Sequence, residues 1–151
     1  MEKEIQIRFA YKEDMPAVLE LIRELAIYEH AEEQVTNTVE QLQEDGFGDN
    51  PVFECLVAED DSGVFAFALF YTSYSTWKGT CLYLEDLLVT EAKRRTGTGS
   101  VLFETVLEIA KDRGAKRFEW QVLEWNEPAI NFYKKYNADL DPEWVNGKIF
   151  L

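Results

Sequence analysis

The stretch Glu91–Ser100, EAKRRTGTGS, follows the apolar run CLYLEDLLV and precedes VLFETVLEIAKDRG, whose apolar residues recur at helical spacing. Lys93, Arg94 and Arg95, then Gly97 and Gly99 among small hydroxyl residues, mark a strand-to-helix junction suited to holding an anion. The glycines let the backbone bend at little steric cost, so that the amides of Thr96, Gly97, Thr98, Gly99 and Ser100 face one point at a helix N-terminus. A solvated basic turn with a glycine helix start is the alternative, and this stretch by itself leaves the two readings open.

Two familiar phosphate-binding templates fail here. A Walker A loop needs a Lys after its last glycine, and none follows Gly97 or Gly99 at that place. The dinucleotide fingerprint needs a third glycine where Leu102 stands. What remains is a nest of backbone amides that can take a pyrophosphate without a metal.

Outward from the junction, the chain alternates between strand and helix patterns. EIQIRF at 4–9 reads as a strand. Val18, Leu21, Ile22 and Leu25 share one helix face, with Asp14 and Pro16 as start signals. Thr38 caps a second helix that stops at Gly46, with Gln41 completing a capping box. VFECLVAE, VFAFALFYTSY and TCLYLEDLLVT read as three meandering strands. The helix after the glycines ends at Gly114; KRFEWQVL is a strand, NEPAINFYKKY a helix with Pro128 in its first turn, and KIFL a last strand. This order predicts one α/β domain over residues 1–151, with a mixed, mostly antiparallel central sheet and helices on both faces.

Composition sets limits on function. The net charge of −14 argues against a nucleic-acid partner, which needs a cationic face, and permits a cationic one. No apolar run approaches the ~20 residues of a membrane span, and the sequence shows no targeting signal, so a cytoplasmic protein with no membrane partner is expected. Cys55 and Cys81 sit in apolar strand patterns as core residues. With one histidine in the chain, a zinc site of nitrogen and sulfur ligands cannot be assembled, and no metal is expected. Glu85 and Asp86 interrupt an apolar strand, where unpaired carboxylates are rarely tolerated.

The spacing Arg94-x-x-Gly97-x-Gly99 is similar to the Arg/Gln-x-x-Gly-x-Gly/Ala signature with which GNAT-superfamily N-acetyltransferases hold the pyrophosphate of coenzyme A. NEPAINFYKKYNA resembles a second pattern of that superfamily through Asn126, Ala129 and Tyr133, with Asn137-Ala138 where the pattern has Gly-Phe. Over nearly the whole chain, LIRELAIYEHAEEQV, EDGFGDNPVFECLVAE, YSTWKG, LYLED and EWNEPAINFYKK look like the spermidine/spermine (diamine) and thialysine N-acetyltransferases. The spelling Ser75-Thr76-Trp77 looks more like the thialysine branch.

The resemblance implies a GNAT fold, acetyl-CoA as acetyl donor with coenzyme A as product, and a homodimer. It implies that Leu87, Leu88 and Val89 pair with the pantetheine arm and that Arg94, Arg95, Thr96, Gly97, Thr98, Gly99 and Ser100 hold the pyrophosphate. Asn126, Glu127, Pro128 and Ala129 would contact the same cofactor. Glu85 would reach the substrate amine, with Tyr28, Glu29 and Trp77 as further substrate contacts, and Tyr133 would be the catalytic tyrosine.

The chemistry agrees. A primary amine of pKa ~10.4 is neutral in roughly one molecule per few thousand at pH 7, so a proton acceptor is needed, and Glu85 is the candidate through water. A departing thiolate needs a proton donor, and Tyr133 is the candidate. Each residue also has a plainer reading: Tyr133 as a core tyrosine, Trp77 as cover for a sheet edge, Glu29 as part of a solvated face. A small-molecule amine acetyltransferase working through a ternary complex is favoured. A protein Lys or N-terminal acetyltransferase of the same fold, and a non-catalytic acyl-CoA-binding module, are the alternatives.

Overall fold

Three central apolar segments, buried on both faces along much of their length, form the middle of the sheet. The computed structural model describes residues 4–151. Its elements run β1 (Gln6–Phe9), α1 (Met15–Tyr28), α2 (Val39–Phe47), β2 (Glu54–Asp60), β3 (Gly63–Ser75), β4 (Gly79–Val89), α3 (Thr98–Asp112), β5 (Phe118–Glu119) and α4 (Glu127–Lys134). The chain divides into two compact units after Gln121. The first contains the sheet and α1 to α3, and the second, Val122–Leu151, contains α4. No helix among the described residues is long and apolar enough to cross a membrane.

The strands lie in the order β1-β2-β3-β4-β5. All neighbours are antiparallel except β4 and β5, which are parallel. This is the mixed, mostly antiparallel sheet expected from the sequence. Met15, Val18 and Leu21 of α1 pack with Cys55, Val57, Phe67, Leu69 and Leu88 in one buried cluster. The alternate strand residues Leu56, Phe70, Leu82 and Leu84 are equally buried and point to the opposite face, against which α3 lays Leu102, Phe103 and Val106. Phe103 meets Phe118 and Trp120 at 5.2 Å each. Each such side chain contributes about 1.5–3 kcal/mol on burial, so the sheet is fixed from both sides. Arg8 braces the α1 side, bonding Asp14 at 2.8 Å and Glu59 at 3.0 Å.

Local differences from the expected elements have local causes. At α2 the Thr38 hydroxyl accepts from the Gln41 amide at 3.1 Å, but the reciprocal half of the capping box is absent. Gln41 instead donates to Asp45 at 2.9 Å, and the Thr38 amide goes to Asn37 Oδ1 at 2.9 Å. The helix passes Gly46 and is capped by Gly48. β5 keeps only Phe118 and Glu119 of the expected KRFEWQVL strand. The ladder ends where Trp120 turns edge-on to Phe103. The expected last strand at 148–151 does not form: the unit Val122–Leu151 contains no other strand for it to pair with, and Ile149, Phe150 and Leu151 are exposed.

Candidate active site

The glycine junction folds as a turn shaped by two left-handed residues. Arg95 has φ +68° and Gly97 has φ +82°, and α3 starts directly after, at Thr98. The amides of the first helical turn have no carbonyl within the helix to bond, which leaves their donors directed out of its N-terminus. The turn is held from below by Thr96 Oγ1, which donates to the Lys93 carbonyl at 2.9 Å and lies 2.7 Å from Thr98 Oγ1. A Cβ on Gly97 would meet nothing within 4 Å, and one on Gly99 would only touch Val89 Cγ2 at 3.7 Å. The backbone is therefore open to close approach on this side.

The cations of the stretch are arranged differently from its amides. Lys93 Nζ pairs with Asp60 at 2.7 Å. Arg94 Nε donates to the Val89 carbonyl at 3.2 Å, and the guanidinium lies 5.8 Å from the Tyr28 ring centroid and 3.9 Å from Glu24. Arg94 thus ties the turn to the end of β4 and to α1, while the helix terminus supplies the donors. A shallow groove of about 560 Å³ lies alongside, its lining mixing Glu20, Glu24, Glu32 and Arg23 with apolar residues such as Leu21 and Ile27.

β4 presents an open edge next to this turn. β5 pairs only Phe118 with Leu82 and Glu119 with Tyr83. From Glu85 to Val89, β4 has β3 on one side and no ladder partner on the other among the described residues. Leu87, Leu88 and Val89 thus carry main-chain groups that an extended ligand could pair with.

At the same place β4 carries a bulge. Leu69 faces Asp86, but the next residue, Phe70, faces Leu84, so Glu85 is the extra residue. Partners directly across a ladder share a face, which puts Asp86 on the α1 side with Leu69, and Tyr83 on the same side with Tyr71. Glu85 reaches that side too, because the Tyr71 phenol donates to its Oε2 at 3.1 Å. Tyr71 and Tyr83 stack at 5.3 Å with 27° between their planes. Burial, then the Glu85 carboxylate, pushes the Tyr71 phenol up to about 12. Burial, then the charges of Glu85 and Glu29, pushes Asp86 up to about 7, and burial also raises Glu29 at the end of α1. The result is an acidic patch walled by two tyrosines.

In the second unit, Asn126 caps α4, its Oδ1 accepting from the Ala129 amide at 3.3 Å, with Glu127 and Pro128 in the first turn. Tyr133 follows on this helix with its ring edge-on to Phe132 at 5.3 Å. Asn137 has φ +57°, the conformation a glycine would otherwise supply after the helix.

Of the residues singled out in the sequence, Gly97, Thr98, Gly99 and Ser100 come together at the α3 terminus, and Glu29 acts electrostatically on the same patch as Glu85. Tyr28 lies instead with Arg94. Trp77 is 80 % exposed at the β3–β4 hairpin tip, and Glu85 lies roughly 20 Å further along the extended strand, so one chain does not bring them together. Asp86, Tyr71 and Glu24 were not assigned roles from the sequence. Asp86 carried a signal, a second carboxylate in an apolar strand; Tyr71 and Glu24 carried none without the register. No group of three or more side chains able to hold a metal ion occurs among the described residues.

The acetyltransferase (GNAT) family profile matches residues 15–138. A thialysine N-epsilon-acetyltransferase of Sus scrofa is 42 % identical over 142 residues, which cover 89 % of this chain and 84 % of the relative. The human spermidine/spermine N(1)-acetyltransferase-like protein 1 is 39 % identical over 146 residues, 91 % of this chain and 21 % of that longer protein. Among solved structures, an aminoglycoside acetyltransferase from an uncultured soil metagenomic sample superposes with a TM-score of 0.76 at 18 % identity, covering 97 % of this chain and 96 % of its own, a likeness of fold.

Proposed function

The chain belongs to the GNAT acetyltransferase family and is an N-acetyltransferase, and on that premise we propose that it moves an acetyl group from acetyl-CoA to the primary amine of a small cationic substrate, a diamine, polyamine or thialysine-like amino acid, in a ternary complex. The observation that carries the substrate class is the acidic, tyrosine-walled patch at the β4 bulge, directly beside the open strand edge. A cation is drawn there by Glu85 and Glu29 and can lie against the rings of Tyr71 and Tyr83.

The residues present fit coenzyme A. Amides of Thr98, Gly99 and Ser100 would hold the pyrophosphate over the left-handed turn at Arg95–Gly97, with open space beside Gly97 and no Cβ on Gly97 or Gly99 to obstruct approach. Leu87, Leu88 and Val89 would pair with the pantetheine arm along the free edge of β4. Asn126 and the first turn of α4, Glu127 to Ala129, would complete the contacts. When bound, acetyl-CoA supplies the thioester carbonyl carbon that an amine can attack.

The protein's part is to position and to move protons. Glu85 orients the ammonium and receives its proton, directly or through a water. Tyr133 donates a proton to the departing sulfur. No acyl-enzyme is required, because holding donor and amine together already provides the proximity advantage. A homodimer is part of this reading: Trp77, at the hairpin tip, would reach an amine only from a second copy.

The test is a steady-state assay of free thiol release with acetyl-CoA against diamines, thialysine, monoamines of equal length and a lysine peptide. Diamines and thialysine are expected to have the highest kcat/KM. Equal kcat/KM for monoamines and diamines, or a preference for the peptide, would overturn the assignment.

A further inference from the structure

Resting on the amine-acetyltransferase reading above, we propose that the two adjacent carboxylates of β4 divide the work: Glu85 holds the incoming ammonium, and Asp86 is the base on which its proton comes to rest. In a regular strand, neighbours point to opposite faces, and residues 85 and 86 would lie on opposite sides of the sheet. The bulge removes that constraint. Leu69 opposite Asp86 and Tyr71 opposite Tyr83 lie on one face, and Glu85 is drawn to it by the Tyr71 phenol.

Within that face the two acids differ in depth. Glu85 is exposed and oriented by a hydrogen bond through one oxygen, so its other oxygen can meet a cation. Asp86 is half-buried behind it, on the side of Leu69 and the α1 cluster. The titratable groups that face Asp86 are Glu85 and Tyr83 from its own strand, Tyr71 from β3, Cys55 from β2 and Glu29 from the end of α1. Burial and the charges of Glu85 and Glu29 bring Asp86 to about 7. A base poised there is ionised in a large fraction of molecules at neutral pH and still basic enough to take a proton.

One N–H bond of the ammonium breaks and its electron pair stays on nitrogen as the attacking lone pair. The proton passes, through Glu85 or a water, to a carboxylate oxygen of Asp86. Asp86 later releases it to solvent, which returns the site to its starting charge.

The test combines kinetics with a titration that needs no turnover. The pH dependence of kcat/KM for the amine at saturating acetyl-CoA is recorded for the wild type, Asp86→Asn and Glu85→Gln. Two primary amines are used whose own pKa values differ by about two units. Carbon-13 NMR of the Asp carboxyls is followed against pH in each protein without substrates.

The wild type should show one acidic limb near 7, the same for both amines, matched by one Asp carboxyl titrating in that range. Asp86→Asn should lose both the limb and that resonance, with kcat at pH 7 down about a hundredfold or more. Glu85→Gln should move limb and resonance to lower pH, because a like charge is removed, and should raise KM for the amine.

A limb that follows the amine's own pKa, near-normal turnover of Asp86→Asn, or the absence of an Asp carboxyl titrating near neutrality would each overturn the proposal. So would an unmoved limb in Glu85→Gln, which keeps the question open to test even where Asp86→Asn does not fold. Wild-type protein that acetylates no small amine would sink the function proposed above, a result distinct from amine turnover that is indifferent to Asp86.

Discussion

The hydroxyl of Thr90, at the end of β4, donates to Glu24 Oε1 of α1 at 2.6 Å across 66 positions of sequence. The Glu91 amide donates to the other oxygen at 3.2 Å. One carboxylate thereby ties α1 to the segment that leads into the glycine turn. Glu24→Ala removes both bonds and is expected to lower stability by about 1 kcal/mol per bond. It should also raise KM for acetyl-CoA several-fold with little change in kcat. Thermal denaturation and steady-state kinetics on the same preparation check the two effects.

Gly97 and Gly99 should respond differently to substitution. At Gly97 the limit is backbone conformation, φ +82°, so Gly97→Ala costs about 1–2 kcal/mol of stability although its Cβ meets nothing. Gly99 lies in the first turn of α3, where Val is no poorer a helix former than Gly. Gly99→Val is therefore expected to keep its melting temperature within a few degrees while binding acetyl-CoA at least about tenfold more weakly, as read by calorimetry. Unchanged affinity would remove the pyrophosphate from this turn.

Tyr133→Phe keeps the ring against Phe132 and removes only the hydroxyl. Turnover is expected to fall about a hundredfold or more, with acetyl-CoA affinity and the melting temperature retained. Pre-steady-state measurement that isolates the chemical step gives the decisive number. A normal chemical rate would assign Tyr133 to packing alone.

Asp86 also predicts a pH dependence of stability. Its carboxyl is raised to about 7 in the folded chain by burial and by the charges of Glu85 and Glu29, against ~3.9 when unfolded. The folded state binds this proton more tightly, so the associated stability is complete below the unfolded value and is lost as pH rises through about 7. Asp86→Asn should melt higher than the wild type at pH 8, and the difference should shrink steadily toward pH 4. A constant difference between pH 4 and 8 would contradict the raised carboxyl.

Where the sequence was legible, the reason is local. Asp14 and Pro16, Thr38, and Gly114 act within a few residues of themselves, and α1, α2 and α3 begin and end close to where they predict. The apolar runs of β2, β3 and β4 were equally readable, because each strand is buried on both faces along much of its length. What the sequence withheld depends on partners. The bulge at Glu85 is a property of register with β3, and nothing in LYLED specifies which residue will be skipped. β5 stops after two residues because of where Trp120 packs, and KIFL stays unpaired because its unit offers no strand. The position of Trp77 at a hairpin tip follows from the pairing of Ser75 with Gly79, which only the folded ladder reveals.

The parting of β4 from β5 after two ladder pairs has a bearing on how the protein behaves in crowded solution. A row of main-chain donors and acceptors from Glu85 to Val89 is a template for any passing extended chain, and sheet edges of this kind nucleate aggregates. Two features work against it here: the bulge, which breaks the flatness such stacking needs, and the mutual repulsion of molecules carrying a net charge of −14. Repulsion of that kind reaches only about 10 Å at 0.1 M salt and about 3 Å at 1 M. Colloidal stability of this enzyme should therefore depend on ionic strength, and a ligand lying along β4 would act as a solubiliser as well as a reactant.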